Sequence, residues 1–323
     1  MACGPFDRPM TRSGAALSPV ERERLDRLRA ADTLADLVAL TDATTEHDAY
    51  LAARAEWRSL MDRRVPPAAP TTDRLPGDGV DLEETRVVVH GITHADTDAE
   101  RAFLREHVAG FLEAGEAVYC EQGIRPMYFA DMAEVRGMDD YRWALKRCRD
   151  LEGDSRLAAT ERSFEGWLED LTDVAATFRE AVFSLVNSGA DVYGEEFAMA
   201  LGDVATDFLS SHEDLARARE YEAFVRSQAA AEDPAKLPHL QRYYATVFLP
   251  LPLEREWLRR HDAELEVVSH GRSERMADYA AYHADDAPTV HVLTGAAHQP
   301  GIRYYLERHR DGHRRRDDLA LVE

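Results

Sequence analysis

Leu25, Leu28, Leu34, Leu37 and Leu40 recur at three- and six-residue steps, the spacing of one apolar helical face. Ser18 followed by Pro19 puts a capping serine ahead of a proline at the first helical position. Residues 18–63 are therefore expected to form a helical prelude. Pro66, Pro67, Pro70, Pro76, Gly77 and Gly79 then break the pattern and predict a linker or long loop over 65–80. Beyond it the apolar runs shorten to strand length: Arg86 to His90, Ala117 to Glu121, Leu265 to Ser269 and Thr289 to Thr294, with a shorter one at Ala190 to Tyr193. Helical patterns fill the intervals, from about 98 to 114, 140 to 188, 195 to 231 and 273 to 282. Short apolar strands alternating with helices predict an α/β fold: a small, largely parallel central sheet flanked by many helices, with an N-terminal helical extension. The expected division is an extension and linker over 1–80 and an α/β domain over 81–323.

Charge changes the picture of partners. The 323-residue chain carries a formal net charge of −22, and its only lysines are Lys146 and Lys236, the remaining basic residues being arginine. Concentrated salt screens the self-repulsion such a coat creates, so a halophilic setting is expected. An acidic surface argues against nucleic acid, which requires a basic footprint, and against anionic lipid. No stretch is apolar enough over the roughly 20 residues that a membrane-spanning helix needs, so no membrane partner is expected. Met1 to Ala15 lacks a signal-peptide run, and Cys3, Cys120 and Cys148 form neither an even set nor a CxxC pair. Together these predict a reducing, cytoplasmic location, with Cys120 a small core residue.

Candidate chemistry comes from a repeated motif. Gly91-Ile92-Thr93-His94 directly follows the first strand of the α/β region, and Gly295-Ala296-Ala297-His298 directly follows the last. Each glycine falls where a strand must turn, and each histidine lands beyond a strand's C-terminal end, the edge at which open α/β sheets bind ligands. Pro300 and Gly301 predict a helix start just after His298. Glu121 closes the second strand, where a buried carboxylate needs a metal ion, an arginine or solvent as partner. Glu195 and Glu196 open an expected helix at Gly194-Glu195-Glu196-Phe197-Ala198-Met199-Ala200, and Arg272 opens another at Arg272-Ser273-Glu274-Arg275-Met276-Ala277. His90 and His291 lie inside strands and are expected to be structural. His270, at a strand exit before Gly271, is a candidate extra ligand.

In this order the motifs resemble the TraB/PrgY–Tiki superfamily, often grouped with ChaN-like and erythromycin-esterase-like folds. The residues that carry the resemblance are Gly91 and His94; Glu121; Gly194, Glu196, Phe197 and Ala200; Arg272, Met276 and Ala277; and Gly295, Ala296, His298, Gly301 and Ile302. It spans residues 85–310. Two features depart from the family pattern: Arg125 stands one residue early after the strand glutamate, and the membrane-anchoring C-terminal helices of many members are missing. The resemblance implies a metal-dependent hydrolase acting on a peptide or another amide or ester, because Tiki proteins are described as divalent-metal proteases. His94, His298 and Glu121 would hold the divalent ion, zinc, manganese or cobalt. Glu121 or Glu196 would serve the activated water, and Arg272 would meet an oxyanion or a substrate carboxylate. The alternative expectation is a non-catalytic regulatory protein that sequesters a peptide or small ligand in the same crevice. A third expectation makes the helical prelude a contact surface for a homo-oligomer. No G-x-S-x-G elbow, P-loop or G-x-G-x-x-G is present, which removes serine-hydrolase and nucleotide-binding readings.

Overall fold

A computed structural model describes residues 17–64, 74–138, 140, 221–261, 266–283 and 287–314. The prelude resolves into three helices: α1 (Pro19–Arg29), α2 (Leu34–Thr41) and α3 (Glu46–Arg64). Helix α1 starts with a reciprocal cap. Ser18 Oγ accepts from the Glu21 amide, and the Glu21 carboxylate accepts from the Ser18 amide. Thr33 and Asp36 repeat the device at α2. Leu25, Leu28, Leu34 and Leu37 are all buried, as their spacing predicts. Their core is shared with α3 through Tyr50 and Trp57, and with Leu253 of a later helix, α8 (Leu251–His261). Tyr50 donates to Glu254 at 2.8 Å and Trp57 Nε1 to the Thr246 carbonyl at 3.1 Å, so the extension is tied to the α/β region by buried polar bonds as well as apolar contact.

The sheet has five strands in the order β1-β2-β5-β3-β4. They are β1 (Asp78–Leu82), β2 (Thr85–Ile92), β3 (Ala117–Cys120), β4 (Val135–Gly137) and β5 (Thr289–Gly295). Four are parallel, and only the edge strand β1 runs antiparallel, against β2. The α/β fold with a small, largely parallel sheet and many helices is therefore what the chain adopts. Two strands differ from the sequence pattern. Strand β1 takes up the end of the expected linker, where Val80 and Leu82 alternate inward with polar neighbours. The expected strand at Leu265 to Ser269 is instead a π turn, Val267–Gly271, that runs straight into helix α9 (Arg272–Tyr282). A short apolar run does not distinguish strand from buried helix by periodicity alone. Here the buried Glu266 pairs with Arg255 of α8, which ties the segment to the helical layer. The expected strand at Ala190 to Tyr193 lies outside the described residues, as do the expected helices over 140–188 and most of 195–231.

Helices cover both faces. On one, α4 (Asp98–Glu113), α5 (Ile124–Tyr128), α6 (Tyr221–Glu232) and α7 (Leu237–Val247) enclose Ile92, Val118, Cys120 and Leu293. On the other, α9 and α10 (Gln299–Arg310) enclose Val87, Val89, Tyr119, Val290 and Val292. Successive residues of β5 thus feed opposite cores, the period-two signature of a sheet buried on both faces. No described helix is long and apolar enough to cross a membrane.

Candidate functional site

The last strand in sequence, β5, lies between β2 and β3. That insertion brings three strand exits together. His94 follows β2, Glu121 follows β3, and His298 follows β5, all at the C-terminal edge of the parallel sheet.

The two G-x-x-H turns interlock. A Cβ on Gly91 would meet the Ala296 Cα at 2.7 Å and the Gln299 Oε1 at 2.5 Å, so the first turn must be bare for the second to pass. A Cβ on Gly295 would meet His94 Nε2 at 3.0 Å, so the second turn must be bare for the first histidine to lie across it. The Ala296 amide donates to the Ile92 carbonyl at 2.9 Å and closes the pair. Gly301 plays a similar part between helices: a Cβ there would meet Ser273 Cβ at 2.9 Å, and its absence lets α9 approach α10.

Glu121 is buried and fully engaged. Its Oε1 accepts from Arg272 Nη2 at 2.5 Å. Its Oε2 accepts from Thr294 Oγ1 at 2.9 Å and from the Gly295 amide at 2.8 Å. His94 Nε2 stands 3.4 Å from Oε2, and His298 Nε2 stands 3.7 Å from Oε1. Burial would raise the Glu121 carboxyl, but Arg272 first, and then His298 and His94 in their protonated forms, hold it well below the usual carboxylate range.

Ser273 fixes the ring state of His298. Its hydroxyl donates to the Ser269 carbonyl at 2.9 Å, the backbone bond common for serine within a helix. With its single proton so placed, Ser273 Oγ accepts from His298 Nδ1 at 2.9 Å. Nδ1 therefore carries the hydrogen, and in the neutral ring Nε2 presents its lone pair on the side of Glu121.

His94 is held by its loop. It adopts a left-handed backbone with φ of 59°, and Asp96 does the same at 52°. Bonds on either side over-determine that strained turn. The fully buried Glu100 accepts from the Thr93 amide and hydroxyl, both at 2.8 Å, and from the Tyr128 hydroxyl at 2.7 Å. Tyr128 in turn accepts from the Asp96 amide at 2.8 Å.

The structure thus brings His94, Glu121, Arg272 and His298 together, as the sequence motifs suggest. It gives Arg272 a definite post. Its Nε donates to Asp140 at 2.7 Å and its Nη2 to Glu121, so it orients Glu121 from behind. Glu196, with Glu195, lies outside the described residues. His270 is buried in the π turn and contributes none of the hydrogen bonds to Glu121. Arg125 sits in α5, its Cδ 3.9 Å from where a Cβ on Gly137 would stand, and is not among the hydrogen-bond partners given above for Glu121. Asp140, Ser273 and Thr294 were not singled out by the motifs. Ser273 and Thr294 are immediate neighbours of motif residues. Asp140 carries no local signal at all, because it reaches the site only through β4. Burial, opposed by Arg272 and reinforced by Glu121, pushes the Asp140 carboxyl up to about 6.

Comparison with protein families, with curated proteins and with solved structures returns no match. Among the described residues no group of three or more His, Cys, Asp and Glu side chains is spaced to hold a metal ion. His94, Glu121 and His298 are nonetheless residue types that divalent ions accept as donors. His298 offers an imidazole lone pair of fixed tautomer, and Glu121 is an ionised carboxylate. The separations of 3.4 and 3.7 Å between imidazole nitrogen and carboxylate oxygen are near the roughly 3.4 Å spanned by two bonds of about 2.1 Å at a tetrahedral angle.

Proposed function

We propose that this chain is a metal-dependent hydrolase of the TraB/Tiki type, cleaving a peptide or another amide or ester. The observation that carries the reading is the interlock of the two G-x-x-H turns, which aims both imidazoles at one buried, ionised carboxylate. His94, His298 and Glu121 would hold a divalent ion, zinc, manganese or cobalt. When bound, such an ion acidifies a water to near neutrality and polarises a carbonyl. The chain's own residues prepare the place. Ser273 keeps the His298 lone pair on Nε2. Arg272, Thr294 and the Gly295 amide keep Glu121 ionised and in a single orientation. The Glu100–Tyr128 pair holds the strained turn that presents His94. Glu196 remains a candidate second carboxylate for the water.

Metal analysis of protein purified in high salt, together with His94→Ala and His298→Ala variants, tests this. Stoichiometric ion in the parent protein, its loss in both variants, and product release from a peptide or ester library are expected. Parent protein that takes up none of the three ions would overturn the metal reading.

A second reading rests on its own observation. Both oxygens of Glu121 already have partners within the chain. A site so satisfied also suits a regulatory protein that sequesters a peptide or small ligand without turning it over. Ligand-induced thermal stabilisation with no product would favour it.

A further inference from the structure

Glu100 anchors the far end of the turn that presents His94, through the Thr93 amide and hydroxyl. The near end, at Gly91, is held from another layer. Strand β1 pairs with β2 only as far as Asp78 opposite Val89, so its ladder stops short of Gly91. The Ile92 carbonyl faces β5, where it accepts from the Ala296 amide. Carbonyls alternate sides along a strand, so the Gly91 carbonyl faces the other way, past the end of β1.

Gln241 of α7 meets it there. Its Nε2 donates to the Gly91 carbonyl at 2.9 Å and to the Pro76 carbonyl at 3.0 Å. Both partners are oxygens, so the amide nitrogen must face them, and both of its hydrogens are used. Pro76 stands two residues ahead of β1, where the chain lies close against β2: a Cβ on Gly77 would meet the Val89 carbonyl at 2.8 Å. One side chain thus does for the exit of β2 what a longer β1 would do. Gln241 is buried on a helix face it shares with Leu237, Leu240 and Tyr244, where packing alone does not call for an amide. Glycine imposes little backbone preference of its own, so bonds to its carbonyl help to hold the peptide plane at Gly91.

We propose that Gln241 is a positioning residue: it fixes the Gly91 carbonyl and, through the first G-x-x-H turn, sets where His94 stands against Glu121. The consequence for a cation rests on the metal reading above. In a purely structural role Gln241 would only tie α7 to the sheet, and its loss would weaken the fold as any comparable loss of packing on α7 does.

The experiment compares full-length parent, Gln241→Met and Val247→Ala proteins. Methionine keeps the length of the side chain and removes both hydrogen bonds. Val247→Ala trims another buried side chain of the same helix that makes neither bond. Thermal unfolding, two-dimensional NMR of the histidine side chains and Zn2+ affinity by calorimetry are measured for each. Both substitutions are expected to lower the unfolding midpoint, by about 2–8 °C. Only Gln241→Met should move the His94 ring signals while those of His309 stay in place, and only it should lower Zn2+ affinity, by about tenfold. His94 signals that stay in place in Gln241→Met, or move as far in Val247→Ala, would overturn the proposal. So would moved signals with unchanged Zn2+ affinity in a parent protein that binds the ion. If Gln241→Met does not fold, Gln241→Asn, which draws the amide back by one carbon, is read in its place with the same expected directions. Parent protein that binds no Zn2+, Mn2+ or Co2+ sinks the metal reading itself, and the His94 signals then decide the positioning role alone.

Discussion

Strands β2 and β5 carry two histidine pairs, and they are built differently. In the first, His90 and His291 stand side by side on the α4 face of the sheet. His90 Nδ1 meets the Pro76 carbonyl, His90 Nε2 meets His291 Nδ1, and His291 Nε2 meets Glu116, each at 2.9 Å. Phe111 stacks on His291 with ring centroids 3.7 Å apart. Every ring nitrogen of this pair has a partner at hydrogen-bond distance. In the second pair, His94 and His298 do not bond each other. Both turn Nε2 towards one carboxylate at longer range, and that carboxylate is fixed from behind by Arg272. A pair whose nitrogens are all engaged at close range stitches strands together. The second pair is instead gathered around an ionised carboxylate. Both contain two histidines and a glutamate, so residue type alone does not separate them, and the spacing and the guanidinium do.

The contrast can be broken most sharply at Arg272. Arg272→Met leaves Glu121 and Asp140 buried without their shared cation. It is expected to cost about 3–5 kcal/mol at neutral pH, read by urea unfolding. His291→Gln on the other pair removes neutral hydrogen bonds only and is expected to cost about 1–2 kcal/mol. Equal costs would erase the distinction between the two pairs.

The next effect is in pH. Burial, with the charge of His291 adding to it and the Pro76 carbonyl opposing, pushes the His90 imidazole down to about 3 from an ordinary 6.5. The unfolded chain takes up this proton as pH falls below its ordinary value, whereas the folded chain does not until about 3. Stability is therefore present above the ordinary value and lost as pH falls across that window, by about 1.4 kcal/mol per pH unit for this group. His90→Gln should flatten the stability profile between about pH 6 and 4 by that slope. An unchanged profile would show that His90 is not the acid-sensitive member.

The smallest effect concerns the loop of His94. Tyr128→Phe removes the hydroxyl that joins the Asp96 amide to Glu100, and is expected to cost about 1–2 kcal/mol. Two-dimensional NMR of the histidine side chains should show His94 shifted and His90 unmoved. A shift confined to His90 would mean that the Glu100–Tyr128 pair does not serve the site.

Much of this was legible along the chain. The capping box at Ser18 and the leucine spacing of α1 and α2 are local, and so are the runs of β2, β3 and β5. Gly91, His94, Gly295 and His298 were visible as one motif repeated at two strand ends, although both glycines prove to lie within the strands and to serve close approach in place of a bend, and Glu121 because a carboxylate closing an apolar strand requires a partner. The Leu265 to Ser269 segment was misread because its pattern is the same in either structure, and only the Glu266–Arg255 pair decides between them. Asp140 was invisible because nothing near it in sequence records that β4 lies beside β3.

The sequence by itself determined where the chain turns, caps and alternates, since those depend on steric and hydrogen-bonding preferences of neighbouring residues. Only the tertiary structure decided that β5 enters between β2 and β3, and that one guanidinium serves two buried carboxylates. Strand order and charge sharing are set by which distant faces exclude water together, a condition that local spacing does not encode.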